Sequence, residues 1–143
     1  MQPISNNLAL DVHTWKIITP FSANQWQKIE RFLGVLRKKF AQDDFGLPLV
    51  FPRGHGVNAK GRVCFLPAGK LRHQATPFQL TNSRGEFASP TVGQPHDEVV
   101  VALLSWLGKE FPHHVSIELA GDRLYQFVGK SMAGLANEKM YGS

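Results

Sequence analysis

The chain has 143 residues, of which 43% are hydrophobic and only 19% are charged, so it can bury a core and is not typical of a disordered protein. Its 16 Lys and Arg outnumber its 11 Asp and Glu, which gives a formal net charge of +5. Its single cysteine excludes an internal disulfide and a cysteine-based zinc site. We therefore expect a single domain that spans residues 1–143.

The N-terminus and the hydropathy pattern predict where the protein resides. Residues 1–7 lack the charged and then apolar pattern of a secretory signal. The longest strongly apolar run, residues 99–107, is far shorter than the roughly 20 residues of a membrane-spanning helix. These features predict a soluble, cytoplasmic protein that makes no membrane contact.

The first third of the chain predicts a strand followed by a helix. Trp15 and Ile17 alternate with polar neighbours in a segment rich in β-formers, which predicts the first strand. Ser22 and Gln25 have the spacing of a capping box, in which hydroxyl and amide satisfy backbone donors at a helix start. Apolar residues then recur at spacings of three and four, so a helix at about 22–41 has one apolar face. The residues of this face are Trp26, Ile29, Leu33, Leu36 and Phe40.

The middle of the chain predicts short strands joined by turns. Three short apolar segments are typical of strands and lie at residues 47–51, 62–66 and 77–80. Between the first two lies a loop, residues 52–61, with three glycines that give its backbone unusual freedom. Residues 82–85 are a turn signal that follows the third strand.

The next segment predicts a second helix at about 95–110. Pro95 suits the first helical position, and Asp97 and Glu98 fall in the first turn, where negative charge is favoured. Apolar residues cover most of the circumference of this helix, which indicates that it is buried on a wide face against the sheet.

The last segment predicts a strand, a turn and a return strand. Residues 115–119 alternate as in a half-buried strand, and residues 124–128 are its expected hairpin partner. Residues 131–140 form a short helix or a frayed end. The chain as a whole thus predicts an α+β fold, in which a small, mostly antiparallel sheet packs against two main helices.

The cations are concentrated in one part of the chain. Residues 45–85 contain six Lys and Arg and none of the acidic residues, so this stretch carries all the net positive charge. Cations that neutralise phosphates supply affinity for nucleic acids that does not depend on sequence. We therefore expect non-catalytic binding of nucleic acid or another polyanion, with an acidic protein as another possible partner. The expected binding residues are Arg53, His55, Lys60, Arg62, Lys70, Arg72, His73 and Arg84.

The charge of this stretch also has an explanation that involves no binding partner. Cations on solvated turns also keep a small domain soluble, without any partner. Three phenylalanines lie among the cations and are expected in the core, although exposed rings would offer stacking faces for bases. They are Phe51, Phe65 and Phe78.

Two other function classes remain open. One is a protein-interaction module, such as an inhibitor, an adaptor or an immunity-type protein, whose surface turns bind a partner without chemistry. The other is a small metal-independent nuclease. In it, His55 and His73 would act as general base and general acid, and Lys60 or Lys70 would stabilise the phosphate.

Other chemistry is not expected. Gly129-Lys130-Ser131 resembles the end of a phosphate-binding P-loop, but that motif requires glycine where this chain has Leu124. His113 and His114 are adjacent, so in a strand they would point to opposite faces and not chelate one ion. Cys64 lies in a predicted strand, where a buried thiol packs as an apolar group. We expect no cofactor and no metal.

Overall fold

The computed structural model describes residues 12–40, 49–50, 61–67 and 75–141. These residues form three helices and six strands, which confirms the α+β fold. In chain order the elements are β1 (His13–Ile17), α1 (Ala23–Phe40), β2 (Leu49–Val50), β3 (Arg62–Pro67), β4 (Phe78–Thr81), β5 (Gly85–Ser89), α2 (Asp97–Glu110), β6 (Val115–Glu118) and α3 (Arg123–Tyr141).

The strands form two antiparallel groups. β1 lies at the centre of the first, between β5 and β6, and β3 lies between β2 and β4 in the second. Trp15 of β1 is opposite Phe87 of β5 and Ile117 of β6, so large side chains line one face across all three strands. β5 is a strand that the sequence pattern did not predict.

The capping box of α1 is confirmed. The Ser22 N–H donates to the Gln25 side-chain oxygen at 2.8 Å, and the Gln25 N–H donates to the Ser22 hydroxyl at 3.2 Å. The predicted apolar face is buried at Trp26, Ile29, Leu33 and Leu36, together with Phe32, which the spacing argument omitted. Local hydrogen bonds start this helix, and burial of one face holds it in place.

The expected hairpin partner of β6 is wrong. Leu124 and Val128 lie on α3, which has 19 residues and is not a short terminal helix. The Asp122 carboxylate accepts a hydrogen bond from the Tyr125 N–H at 2.8 Å, so Asp122 caps the helix N-terminus. Gly121 turns the chain just before it with a φ of 84°. β6 pairs with β1 instead.

The second helix, α2, is the most buried of the three described helices. It begins at Asp97 rather than Pro95, which lies in the preceding turn. Its apolar residues are buried as predicted, and they number eight: Val99, Val100, Val101, Ala102, Leu103, Leu104, Trp106 and Leu107. α2 packs mainly against α3, with further contacts to β6 and α1, and its buried side chains share one core with those of β3 and β4.

Two close contacts fix the helix packing. The rings of Phe32 in α1 and Trp106 in α2 stack with centroids 4.1 Å apart. At Gly129 of α3, a Cβ atom would lie 2.6 Å from Cγ1 of Val101 and 2.9 Å from the carbonyl oxygen of Glu98. Only glycine lets α3 approach α2 this closely.

Candidate functional site

Of the eight predicted binding residues, only Arg62 and Arg84 lie among the described residues. Both are exposed. The other six lie outside the described residues, and so do both histidines of the nuclease hypothesis: Arg53, His55, Lys60, Lys70, Arg72 and His73. The convergence of all eight therefore stays a prediction.

The backbone segments that carry Arg62 and Arg84 are neighbours in the fold. Arg62 is paired with Thr81 in the β3–β4 register, and the Asn82 N–H donates to the Gly61 carbonyl at 2.8 Å. Arg84 follows Asn82 by two residues. The start of β3 and the turn before β5 thus form one end of the β3–β4 hairpin, and both cations are on it.

Hydrogen bonds hold this end of the hairpin against the segment between β1 and α1. The Asn82 side chain accepts a hydrogen bond from the Phe21 N–H at 2.7 Å and donates to the Phe21 carbonyl at 3.0 Å. Arg84 Nε donates to the Ile18 carbonyl at 3.2 Å. The predicted turn is therefore an ordered platform for its cations.

The outer face of the same hairpin has a shallow groove of about 260 Å³. Arg62 and Cys64 of β3 line it together with Gln79 and Thr81 of β4. Cys64 is buried, as expected, and burial raises the pKa of its thiol, so the thiol is protonated and unsuited to nucleophilic attack. Phe65 and Phe78 are also buried and belong to the core, which confirms that they do not present stacking faces.

A buried polar cluster lies elsewhere, around the N-terminus of α2. The carboxylate of Asp97 accepts hydrogen bonds from His13 Nε2 at 3.0 Å, from the Thr91 hydroxyl at 2.5 Å and from the Tyr125 hydroxyl at 2.7 Å. Ser89 contacts the Thr91 hydroxyl at 3.0 Å. His13 and Asp97 are completely buried. The cluster joins β1, β5, α2 and α3.

The hydrogen bonds of the cluster determine its protonation. The Ala120 N–H donates to His13 Nδ1 at 3.0 Å, so the ring proton lies on Nε2 and points to Asp97. Burial by itself would raise the pKa of Asp97, but the hydrogen bonds from His13, Thr91 and Tyr125 outweigh burial and lower it. Burial and the Asp97 carboxylate raise the pKa of Tyr125 to about 12.

This cluster is a structural one. Both ring nitrogens of His13 are already engaged, and His13 has no exposed surface, so it cannot take a proton from a substrate in this conformation. Sequence reasoning assigned Asp97 only to the helix start and did not single out His13 or Tyr125. Their separation of 84 and 28 residues from Asp97 leaves no motif that a sequence search could use.

His96 is a second buried imidazole. Its Nε2 donates to the Thr76 carbonyl at 2.7 Å, and no atom of the described residues is bonded to its buried Nδ1. Burial lowers the pKa of His96, so the ring is neutral at pH 7. Among the described residues, no three His, Cys, Asp or Glu side chains are grouped to hold a metal ion.

The described part of the chain contains no helix that is both long and apolar enough to cross a membrane. Comparison with known proteins finds no protein-family model, curated protein or solved structure that matches this chain. Functional assignment therefore depends on the chain's own residues.

Proposed function

We propose that the protein binds nucleic acid or another polyanion through the basic segment, residues 53–84. The observation that carries this proposal is the charge distribution: residues 45–85 hold six cations and no acid, while the other parts of the chain are close to neutral. An acid-free stretch of this kind attracts phosphates without local competition from carboxylates.

The arrangement of Arg62 and Arg84 supports the proposal. Both side chains are exposed at one end of the β3–β4 hairpin, on backbone that Asn82 ties to Phe21. Cations on an ordered platform lose less conformational entropy when they contact a phosphate than cations on a free chain do. Such contacts position a polyanion and do not read its sequence.

Binding to a labelled random-sequence oligonucleotide, followed by fluorescence anisotropy, tests this function. We expect measurable affinity at about 50 mM salt and a linear fall of log affinity with log salt concentration. Replacing Arg62 and Arg84 together by Gln should reduce the slope by roughly two, because about one counterion is released per phosphate neutralised.

The matched control is Lys38→Gln, which removes an exposed cation at the end of α1, outside the basic segment. This variant should bind as the parent does. Negligible binding at about 50 mM salt would contradict the proposal. An equal loss in Lys38→Gln and in Arg62→Gln would show that net charge, rather than this segment, determines binding.

A different surface favours the protein-interaction module as a second candidate. Leu124 and Phe127 of α3 are 82% and 64% exposed, and Val128 and Leu135 are also exposed. Single exposed apolar residues are ordinary, but a contiguous set on one helix face is typical of an interaction site. The α3 variants described below test this candidate.

A further inference from the structure

The outward face of α3 has the spacing of a helix-pairing seam. Leu124, Val128, Ser131 and Leu135 are separated by four, three and four residues, which places them on one line along the helix. All four are exposed, while Gly129, Met132, Ala133 and Ala136 lie on another face of α3 and are buried. We call these four residues, together with the flanking Phe127, the α3 stripe.

We propose that the α3 stripe binds a second copy of this chain, with the two α3 helices antiparallel around a two-fold axis. The inference develops the interaction-module candidate and does not depend on polyanion binding. A second copy is the occupant that the stripe fits because the stripe is complementary to itself in size and charge.

Size complementarity follows from antiparallel alignment about the middle of the helix. Leu124 of one copy then faces Leu135 of the other, and Val128 faces Ser131. On the flank, Phe127 faces Gly134, whose added Cβ would meet no atom of the described residues within 4 Å on its own chain. The largest ring of the stripe is thus opposite the smallest residue, so the helices can approach closely.

Charge complementarity follows from the same alignment. Glu138, which is exposed near the end of α3, falls opposite the first turn of the second copy, where Arg123 is also exposed. A carboxylate is favoured there by the arginine and by the positive end of the helix dipole. A parallel alignment would instead place Arg123 beside Arg123 and Glu138 beside Glu138.

The small size of the α3 stripe predicts a weak dimer. A stable specific interface takes roughly 20–30 residues from each partner, whereas the α3 stripe consists of five. We therefore expect a concentration-dependent equilibrium with a dissociation constant on the order of 10–100 μM.

Sedimentation velocity of the full chain, over a series from about 5 μM to about 1 mM, tests the proposal. The parent should shift from monomer to dimer across this range. Leu124→Glu and Phe127→Glu should each weaken dimerisation at least tenfold, because they bury a carboxylate in an apolar contact. Both side chains are mostly exposed in the monomer, so the fold should tolerate the changes.

A charge swap separates self-association from binding to another protein. Arg123→Glu and Glu138→Arg should each weaken the dimer, and the double variant should restore it, because both copies then carry the reversed pair. Glu86→Arg, an exposed change on β5, is the control and should leave dimerisation unchanged. Dichroism spectra of all variants check folding.

The proposal fails if the parent remains monomeric to about 1 mM, if Leu124→Glu dimerises as the parent does, or if the double swap does not recover dimerisation. Oligonucleotide binding measured on the same variants distinguishes a failure of the dimer proposal from a failure of the polyanion-binding proposal. Leu124→Glu should weaken the dimer at least tenfold and leave affinity for a short oligonucleotide unchanged.

Discussion

The carboxylate of Asp97 accepts hydrogen bonds from His13, Thr91 and Tyr125, whereas Glu98, the next residue of α2, is exposed. Both carboxylates stabilise the N-terminus of α2, because they are attracted to the positive end of the helix dipole. Only Asp97 also satisfies buried donors that would otherwise lose their hydrogen bonds on folding.

We predict that Asp97→Ala lowers the free energy of unfolding by about 3 kcal/mol, because it leaves buried donors without an acceptor. Glu98→Ala, one residue away in the same helical turn, should change it by less than about 0.5 kcal/mol. Urea denaturation measures both. Equal effects of the two substitutions would mean that Asp97 contributes only through the dipole.

Acidification should destabilise the protein in two steps. Burial lowers the pKa of His96 below its ordinary 6.5. The unfolded state therefore binds more protons than the folded state once the pH drops below about 6.5, and the protein loses stability as the pH decreases further. The pKa of Asp97 lies below its ordinary 3.8 despite its burial, because its hydrogen bonds outweigh desolvation. Its stabilisation is lost at lower pH, as the pH falls through that lowered pKa.

The first step is tested with His96→Gln, which can still donate to the Thr76 carbonyl but does not titrate. Denaturation curves at several pH values between about 5 and about 8 should show a smaller pH dependence for this variant than for the parent. Identical slopes would assign the pH dependence to other groups.

At the scale of elements, the contact between α2 and α3 depends on one glycine. We predict that Gly129→Ala destabilises the protein by about 1–3 kcal/mol, because its Cβ would overlap Val101 and the Glu98 carbonyl. Gly134→Ala is the matched control in the same helix, with no described atom within 4 Å of the added Cβ. It should stabilise the protein by about 0.5–1 kcal/mol through helix propensity.

Thermal and urea unfolding at low protein concentration measure both glycine variants without interference from self-association. Similar effects at the two positions would contradict close packing at Gly129.

The helices differ in how far local sequence predicts them. Ser22 and Gln25 start α1 through contacts three residues apart, so the capping box was readable without the fold. Asp122 starts α3 in a similar way, but residues 124–128 also fit a short strand after a glycine turn. Burial of Gly129, Met132 and Ala136 distinguishes helix from strand, and the packing of α3 against α1 and α2 is not local.

At the scale of the whole molecule, apolar stacking and an ion pair both join the helices. Phe32 of α1 stacks on Trp106 of α2 in the core. Near the helix ends, Lys28 of α1 pairs with Glu110 of α2 and lies 5.1 Å from the ring centroid of Tyr141 in α3. Hydrogen bonds to Glu110 and Tyr141 raise the pKa of Lys28.

We predict that Phe32→Ala destabilises the protein by about 3–5 kcal/mol, because it leaves a cavity beside Trp106. Lys28→Ala should cost less than about 1 kcal/mol, since the side chains of Lys28 and Glu110 remain 32% and 26% exposed and water already screens their charges. Denaturation in low and high salt checks this, and only the effect of Lys28→Ala should depend on salt. A larger loss of stability from Lys28→Ala than from Phe32→Ala would contradict the prediction that the buried ring stabilises the fold more than the ion pair.

The amino-acid sequence by itself determined the fold class, the bounds of α1 to within about a residue, and the concentration of cations in residues 45–85. These depend on periodicity, capping and composition, which are properties of neighbouring residues. Only the tertiary structure decided that His13 and Tyr125 meet Asp97, that β1 is the central strand, and that α3 presents apolar side chains outward. Such contacts join residues far apart in the chain, and their energies depend on burial, which no local pattern contains.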